Sequence, residues 1–238
     1  EPEGRGAAAA ARRGGARPLN PSGSIVDVVA VLLAAGDSER MGRPKALLEW
    51  RGQPLLSHQL QQIQKSRITE CVVVLGQDAE LLAPLVRPAM RPGWKAREVF
   101  NPRHKDGKTG SILAGLTALW SRPDAVLIAA VDQPLDHRLL DALIAAAEEE
   151  WEKGDATRRR RIVVPVFRGR RGHPALFCGS LMGELMGISE ESEGLKALVR
   201  RDPARVLEVP WASSEILLNL NRPVDLPLSE VRRHLTLH

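Results

Sequence analysis

The chain has 238 residues, a formal net charge of +5, two cysteines, six histidines and no tyrosine. About 210 residues follow the first 25, which is enough for one well-buried α/β domain. Two cysteines are too few for a metal site and suit a reducing compartment, and the histidines lack metal-binding spacing. With three phenylalanines, the chain also lacks the aromatic platforms of many proteins that bind single-stranded nucleic acid. The composition therefore argues against structural zinc and against a nucleic-acid partner.

The first 25 residues are rich in alanine, glycine, arginine and proline. Such a segment cannot build an apolar face, so we expect residues 1–25 to be a disordered basic tail and residues 26–238 to form a single domain. No apolar run reaches the length of a membrane span. We therefore expect a cytoplasmic protein without a membrane partner, with organelle targeting by the basic tail as the alternative.

Strand-like and helix-like segments alternate after the tail, which predicts an α/β fold with a layered sheet and helices on both faces. The first strand covers residues 28–33, which are almost all β-branched or leucine, as in a strand buried on both faces. Helices are predicted over 55–66, 112–120 and 139–151, and a glycine-rich turn over 107–111. The other predicted strands are 71–75, 98–100, 125–131, 162–166, 175–178 and 216–220.

A loop with glycines and cations follows the first strand. Gly36 and Gly42 allow backbone conformations in which N–H groups turn toward an anion. Arg40 and Lys45 add positive charge, and Pro44 fixes the chain direction just before Lys45. The spacing is neither that of a P-loop nor that of a dinucleotide fingerprint. We predict that this loop binds the phosphates of a nucleotide, the alternative being an ordinary strand-to-helix turn with two solvated cations.

Asp132 follows the predicted strand 125–131, where open α/β sheets bind their ligands. A hard oxygen donor suits Mg²⁺, which bridges one or two protein oxygens to substrate phosphates. Asn219 and Asn221 alternate on the last predicted strand, which would place both amides on one face. We predict Asp132 and Asn221 as Mg²⁺ ligands. The alternatives are a helix cap for Asp132 and a backbone-bonded turn for the two asparagines.

The segment LAAGDSERMGRPKALLEWRGQPLL, which starts at Leu33, resembles the N-terminal signature of nucleotidyltransferases with a GT-A-like fold. In particular, it is similar to the molybdenum-cofactor cytidylyltransferase and guanylyltransferase branch. The resemblance implies a three-layer, Rossmann-like, mostly parallel sheet. It also implies that Leu33, Ala34, Ala35, Gly36 and Lys45 contact the nucleotide.

The turn after the strand 98–100 extends the resemblance. In that family the matching turn packs against base and ribose, which implies nucleotide contacts for Asn101, Gly107 and Ser111. His104 stands in the region where the family usually has a tryptophan. Alternatively, the turn simply caps the next helix through Ser111.

Residues 169–177 resemble the arginine-glycine-histidine-proline segment that lies near the acceptor site in the family. The resemblance implies that His173 and Arg171 contact the acceptor. The alternative for His173 is a packed loop residue.

The implied reaction is attack of an acceptor phosphate oxygen on the α-phosphorus of a nucleoside triphosphate, with release of pyrophosphate. The nucleophile is already anionic, so no general base is needed, and Lys45, Arg40 and Asp132 are the expected catalytic residues. CTP is the expected nucleotide, because the guanylyl branch tends to have alanine-glycine-glycine at residues 34–36. The expected acceptor is a phosphorylated small molecule such as molybdopterin, with a molybdoenzyme or its chaperone as a further partner.

Two other function classes remain open from the sequence. One is an enzyme that activates a sugar phosphate or another phosphorylated small molecule. The other is a non-catalytic nucleotide-binding or assembly protein, against which the joint presence of Lys45 and Asp132 speaks.

Overall fold

The computed structural model describes residues 27–36, 43–86, 94–120, 122–153 and 160–220. The predicted disordered tail lies outside the described residues, as do Arg40 and Asn221. The predicted α/β class is confirmed, because an eight-stranded, mostly parallel mixed sheet carries helices on both faces.

The described strands are β1 (Val28–Ala34), β2 (Glu49–Trp50), β3 (Gln53–Pro54), β4 (Glu70–Leu75), β5 (Lys95–Phe100), β6 (Ala125–Ala130), β7 (Ile162–Phe167), β8 (Arg170–Arg171), β9 (Ala175–Cys178) and β10 (Val206–Pro210). The described α-helices are α1 (Leu55–Lys65), α2 (Ala79–Val86), α3 (Lys108–Thr117), α4 (His137–Lys153), α5 (Met182–Met186) and α6 (Leu195–Arg201).

The large sheet has the strand order β10-β7-β9-β6-β1-β4-β5, and β8 pairs with β7. Central strand β1 pairs in parallel with both β4 and β6, while β9 runs antiparallel to its neighbours β6 and β7. The chain thus leaves β1 for β4 on one side and reaches β6 on the other. This arrangement is a topological switch point, and it opens a crevice at the carboxyl ends of β1, β4 and β6.

Alternate side chains of β1 enter two separate cores, because successive residues of a strand point to opposite faces. Leu32 packs in the core with α1 and α4, whereas Val31 packs in the core with α3 and α5. Gly115 lets α3 lie close to the sheet, since a Cβ at that position would stand 2.4 Å from Cγ1 of Val31. Cys71 and Cys178 are free and buried, as expected for small core residues.

Most of the predicted elements are present with shifted ends. Helix α1 and strand β9 agree with the predictions, while β5 begins at Lys95 rather than at 98. The predicted turn over 107–111 is largely helical, because α3 already begins at Lys108. Ser111 therefore lies inside α3 and does not cap it.

The predicted last strand over 216–220 is wrong. Ser214–Leu217 is a 3-10 helix, and the hydroxyl of Ser213 accepts a hydrogen bond from the Glu215 backbone N–H at 3.2 Å. The apolar residues Ile216 and Leu220 are buried against the core without joining the sheet, whose edge is β10 instead. Asn219 consequently does not lie on a strand, which removes the predicted alternation with Asn221.

Among the residues that the structure describes, no helix combines the length and the apolar character that crossing a membrane requires.

Candidate active site

A cavity of about 270 Å³ opens at the carboxyl ends of β1, β4 and β6. The register explains its position, because Ala34 of β1 lies beside Leu75 of β4 and Leu33 lies beside Ala130 of β6. The loops that leave these strand ends must therefore meet. The residues that line the cavity are Leu33, Ala34, Ala35, Gly36, Pro44, Lys45, Ala46, Asp78, Leu82, His104, Gly107, Lys108, Ser111, Ala130, Val131 and Asp132.

Lys45 and Asp132 form an ion pair across this cavity. The Lys45 Nζ donates a hydrogen bond to Asp132 Oδ2 at 3.2 Å, and the two side chains are only 19% and 11% exposed. Lys45 begins a 3-10 helix directly after Pro44, whose φ of −57° sets the direction of entry. Asp132 lies just beyond the end of β6, and its peptide carbonyl accepts from the Leu220 N–H at 2.8 Å. Two residues distant in the sequence are thus held by separate elements in direct contact.

Asp132 does not cap the following helix. In the described structure Asp136 takes that position, since its Oδ1 accepts from the Arg138 backbone N–H at 2.9 Å. The carboxylate of Asp132 is left to face the cavity and Lys45.

The donor set around Asp132 fits a magnesium ion held mainly by substrate oxygens. Asp132 Oδ1 is buried and has no hydrogen-bond partner among the described residues, while Oδ2 is used by Lys45. The described residues contain no group of three or more His, Cys, Asp or Glu side chains that could hold a metal ion. A metal here would therefore have few protein ligands, with Asp132 Oδ1 among them, and phosphates and water would complete its shell, as is usual for Mg²⁺.

Asn101 supports the wall of the cavity from behind. It is buried, and its Nδ2 donates to Ser111 Oγ at 3.0 Å while its Oδ1 accepts from the Arg103 N–H at 3.0 Å. His104 faces the cavity and is held by a 3.2 Å hydrogen bond between its Nδ1 and the carbonyl of Asn101. Of these residues, the structure brings Ser111 to the cavity directly and Asn101 through Ser111.

His173 lies within electrostatic range of the cavity. Its backbone N–H donates to the carbonyl of Ile216 at 2.9 Å. The residue is exposed to solvent, but surrounding protein atoms partly desolvate its ring, and this desolvation lowers the pKa of His173. The positive charges of Lys108 and Lys196 lower the pKa further, whereas the negative charge of Asp132 raises it. A neutral imidazole near Asp132 and Lys108 can donate or accept a hydrogen bond but adds no net charge at neutral pH.

Arg171 is placed on β8, where its Nε donates to Glu208 Oε1 at 2.7 Å. Both side chains of this pair are partly exposed, at 39% and 49%. The described residues that line the cavity do not include Arg171, His173 or Asn101. Arg40 and Asn221 lie outside the described residues, and Asn219 accepts a 2.8 Å hydrogen bond from Gln133 beside Asp132.

Asp78 lines the cavity and was missed by the sequence reasoning. A signal was available, because Asp78 is the third residue after β4, close to the position that Asp132 has as the second residue after β6. The carboxyl ends of neighbouring parallel strands share one edge of the sheet, so this turn had to reach the same crevice. Leu82 of α2 accompanies Asp78 and supplies an apolar wall.

Comparison with known proteins identifies the same architecture. Residues 30–206 match the MobA-like NTP transferase domain. The chain is 30% identical to nicotine blue oxidoreductase of Paenarthrobacter nicotinovorans over 184 residues, which cover 74% of this chain and 83% of that protein. It is also 30% identical to the bifunctional protein GlmU of Rhizobium etli (strain CIAT 652) over 203 residues, but it spans only about 40% of that relative's length.

A solved structure shares the fold at lower identity. The crystal structure of Rv0371c of Mycobacterium tuberculosis H37Rv in complex with manganese is 22% identical, with a TM-score of 0.58 over 88% of this chain and 98% of that chain. The domain match covers most of the chain, and the relative from Paenarthrobacter agrees along most of its length. The chain therefore belongs to the family of the MobA-like NTP transferase domain, a nucleotidyltransferase family.

Proposed function

We propose that this chain transfers a nucleoside monophosphate from CTP to a phosphorylated acceptor such as molybdopterin and releases pyrophosphate. The observation that carries the proposal is the Lys45–Asp132 pair, which lies in a cavity at the switch point of the sheet. An ammonium and a carboxylate with a buried unused oxygen are the groups that triphosphate binding and metal binding require. Family membership supports the same reaction class.

In the proposed reaction, an acceptor phosphate oxygen forms a bond to the α-phosphorus, and the bond from that phosphorus to the α–β bridging oxygen breaks. Negative charge grows on the departing pyrophosphate, where Lys45 stabilises it, and Arg40 is proposed to assist. No proton has to be removed from the nucleophile, so the chain's task is alignment and charge stabilisation. Asp132, with Asn221 as a proposed second ligand, would hold Mg²⁺, which supplies positive charge to the phosphate oxygens when bound.

The nucleotide is proposed to follow the strand-end backbone at Leu33, Ala34, Ala35 and Gly36 and to meet the wall at Gly107 and Ser111. All six residues line the cavity, and Asn101 steadies Ser111 from behind. The choice of CTP rests on the resemblance at residues 34–36 and at Asn101.

His173 is the acceptor contact that we propose, because the charges of Lys108 and Asp132 act on its ring. Arg171 would reach an acceptor only after it releases Glu208, so its contribution to acceptor binding is proposed to be the smaller one. A molybdoenzyme or its chaperone is the proposed recipient of the product, and Mg²⁺ the proposed metal. A manganese complex of a structural neighbour supports divalent-metal binding in this fold.

The sequence leaves a sugar phosphate open as the alternative acceptor. The relative named nicotine blue oxidoreductase carries the name of a redox enzyme. Nucleotide binding alone would therefore not establish transfer. Pyrophosphate release is the deciding measurement.

The test measures pyrophosphate release from CTP, GTP, ATP and UTP with Mg²⁺ and either molybdopterin or a sugar 1-phosphate. We expect release with CTP and molybdopterin, and a fall of about 100- to 1000-fold in Lys45→Met, as for loss of one preorganised contact to transition-state charge. Lys65→Met is the matched control, because Lys65 is an exposed residue at the end of α1. Release with no acceptor, or full activity of Lys45→Met, would contradict the proposal.

A further inference from the structure

Glu190 lies outside the predicted site, in the loop between α5 and α6, yet it contacts the wall of the cavity. Its Oε1 accepts a hydrogen bond from the backbone N–H of Thr109, in the first turn of α3. The neighbouring residues Gly107 and Lys108 line the cavity from the other side. The loop that carries Glu190 thus supports the segment against which a nucleotide would lie.

The contact is built into the backbone of Gly107. This residue has φ +112°, a conformation that side chains with a Cβ rarely adopt. A Cβ at Gly107 would stand 2.4 Å from Glu190 Oε1, so the carboxylate can approach only because the residue is glycine. A second close approach runs from the loop to the helix, because a Cβ at Gly194 would lie 3.0 Å from Thr109 Oγ1. The loop and the start of α3 are therefore matched at two points.

The loop also has its own internal order. The Ser189 backbone N–H donates to Ser192 Oγ at 3.2 Å, and the Ser192 N–H donates to Ser189 Oγ at 3.3 Å. The Gly194 N–H closes the loop by donating to the Ser189 carbonyl at 2.9 Å. These hydrogen bonds fix the backbone of the loop that carries Glu190.

We propose that Glu190 is a positioning residue for the nucleotide, an inference that rests on the proposed function. It acts through α3 and does not touch the reacting atoms. An N–H in the first turn of a helix has no partner within the helix, and a carboxylate there also interacts favourably with the helix dipole. By fixing this turn, Glu190 holds Gly107, Lys108 and Ser111 at the cavity wall. Without Glu190 the cavity wall can move, so the nucleotide binds more weakly while the rate of the chemical step stays nearly the same.

The test compares Glu190→Ala, Glu190→Gln and the control Glu193→Ala in the full chain. Glu193 belongs to the same loop, but its carboxylate pairs with Arg200 in the solvent. Calorimetry with Mg²⁺ uses whichever of CTP, GTP, ATP and UTP binds the wild type most tightly. We expect Glu190→Ala to raise Kd and KM about tenfold with kcat little changed, the size expected for a lost helix cap. Glu190→Gln keeps an acceptor oxygen and should restore most of the affinity.

Equal Kd values for Glu190→Ala and Glu193→Ala would overturn this inference. So would a fall in kcat and in thermal stability without a change in KM, because that result describes a merely structural role. A wild type that binds a nucleotide but releases no pyrophosphate overturns the proposed function, while the Kd comparison still decides the role of Glu190. A wild type that binds none of the four nucleotides overturns both.

Discussion

The Lys45–Asp132 pair can be tested in the folded chain without any substrate. At 3.2 Å, the Coulomb attraction between two unit charges is about 5 kcal/mol for an effective dielectric constant of about 20. Desolvation offsets much of this attraction, because both side chains are largely buried. Lys45→Met leaves the Asp132 carboxylate buried without its partner, which we expect to lower the free energy of unfolding by about 3 kcal/mol.

A double-mutant cycle isolates the pair from the other contacts of each residue. The variants are Lys45→Met, Asp132→Asn and the double variant, unfolded in urea at pH 7 with a chelator and no nucleotide. We expect a coupling free energy of about 2 kcal/mol, because the double variant removes the unpaired charge that each single variant leaves. The exposed pair Arg171–Glu208 is the control, and its coupling should stay below about 1 kcal/mol. Additivity within about 0.5 kcal/mol for Lys45 and Asp132 would refute the reasoning.

Three further predictions concern ligands and pH. CTP should raise the melting temperature more than GTP, ATP or UTP at equal concentration, and a larger shift with GTP would move the chain to the guanylyl branch. Asp132→Asn should abolish Mg²⁺-dependent pyrophosphate release, whereas nucleotide binding without metal should persist because Lys45 and the loop amides remain. A Mg²⁺ titration of activity that matches the wild type would place the metal elsewhere. Burial lowers the pKa of His58 from its ordinary value of 6.5, so the unfolded chain takes up the proton first, and the free energy of unfolding falls as the pH drops through 6.5 toward 5. His58→Gln should make this decline shallower in urea titrations at pH 7 and pH 5, whereas an unchanged slope would assign the acid sensitivity to other groups.

The candidate site was predictable where it depends on the ends of buried strands. Val28–Ala34 reads as a strand buried on both faces, and a polar residue that follows such a strand is directed to the carboxyl edge of the sheet. The same argument placed Asp132, and the structure brings it to Lys45. The same argument applies to Asp78, which follows β4 and lines the cavity but was not predicted as a site residue.

The C-terminal region shows where local pattern was insufficient. Residues 216–220 are as apolar as a strand, but Ser213 caps a 3-10 helix that begins at Ser214. Ile216 and Leu220 pack in the hydrophobic core without pairing with a strand of the sheet. The strand at this edge, β10, is less buried and was not predicted. A short apolar run can form either a strand or a buried helical segment, so its sequence alone does not decide between the two.

The amino-acid sequence by itself determined the α/β class, the central strands and the chemical groups of the site, because apolar periodicity and residue chemistry are local properties. The tertiary structure alone decided which of those groups meet. Lys45 and Asp132 come together because β1 and β6 are neighbours, and Glu190 reaches α3 because α5, which precedes its loop, packs in the same core as α3. Such contacts join residues far apart in the chain, and the packing of whole elements determines their distances.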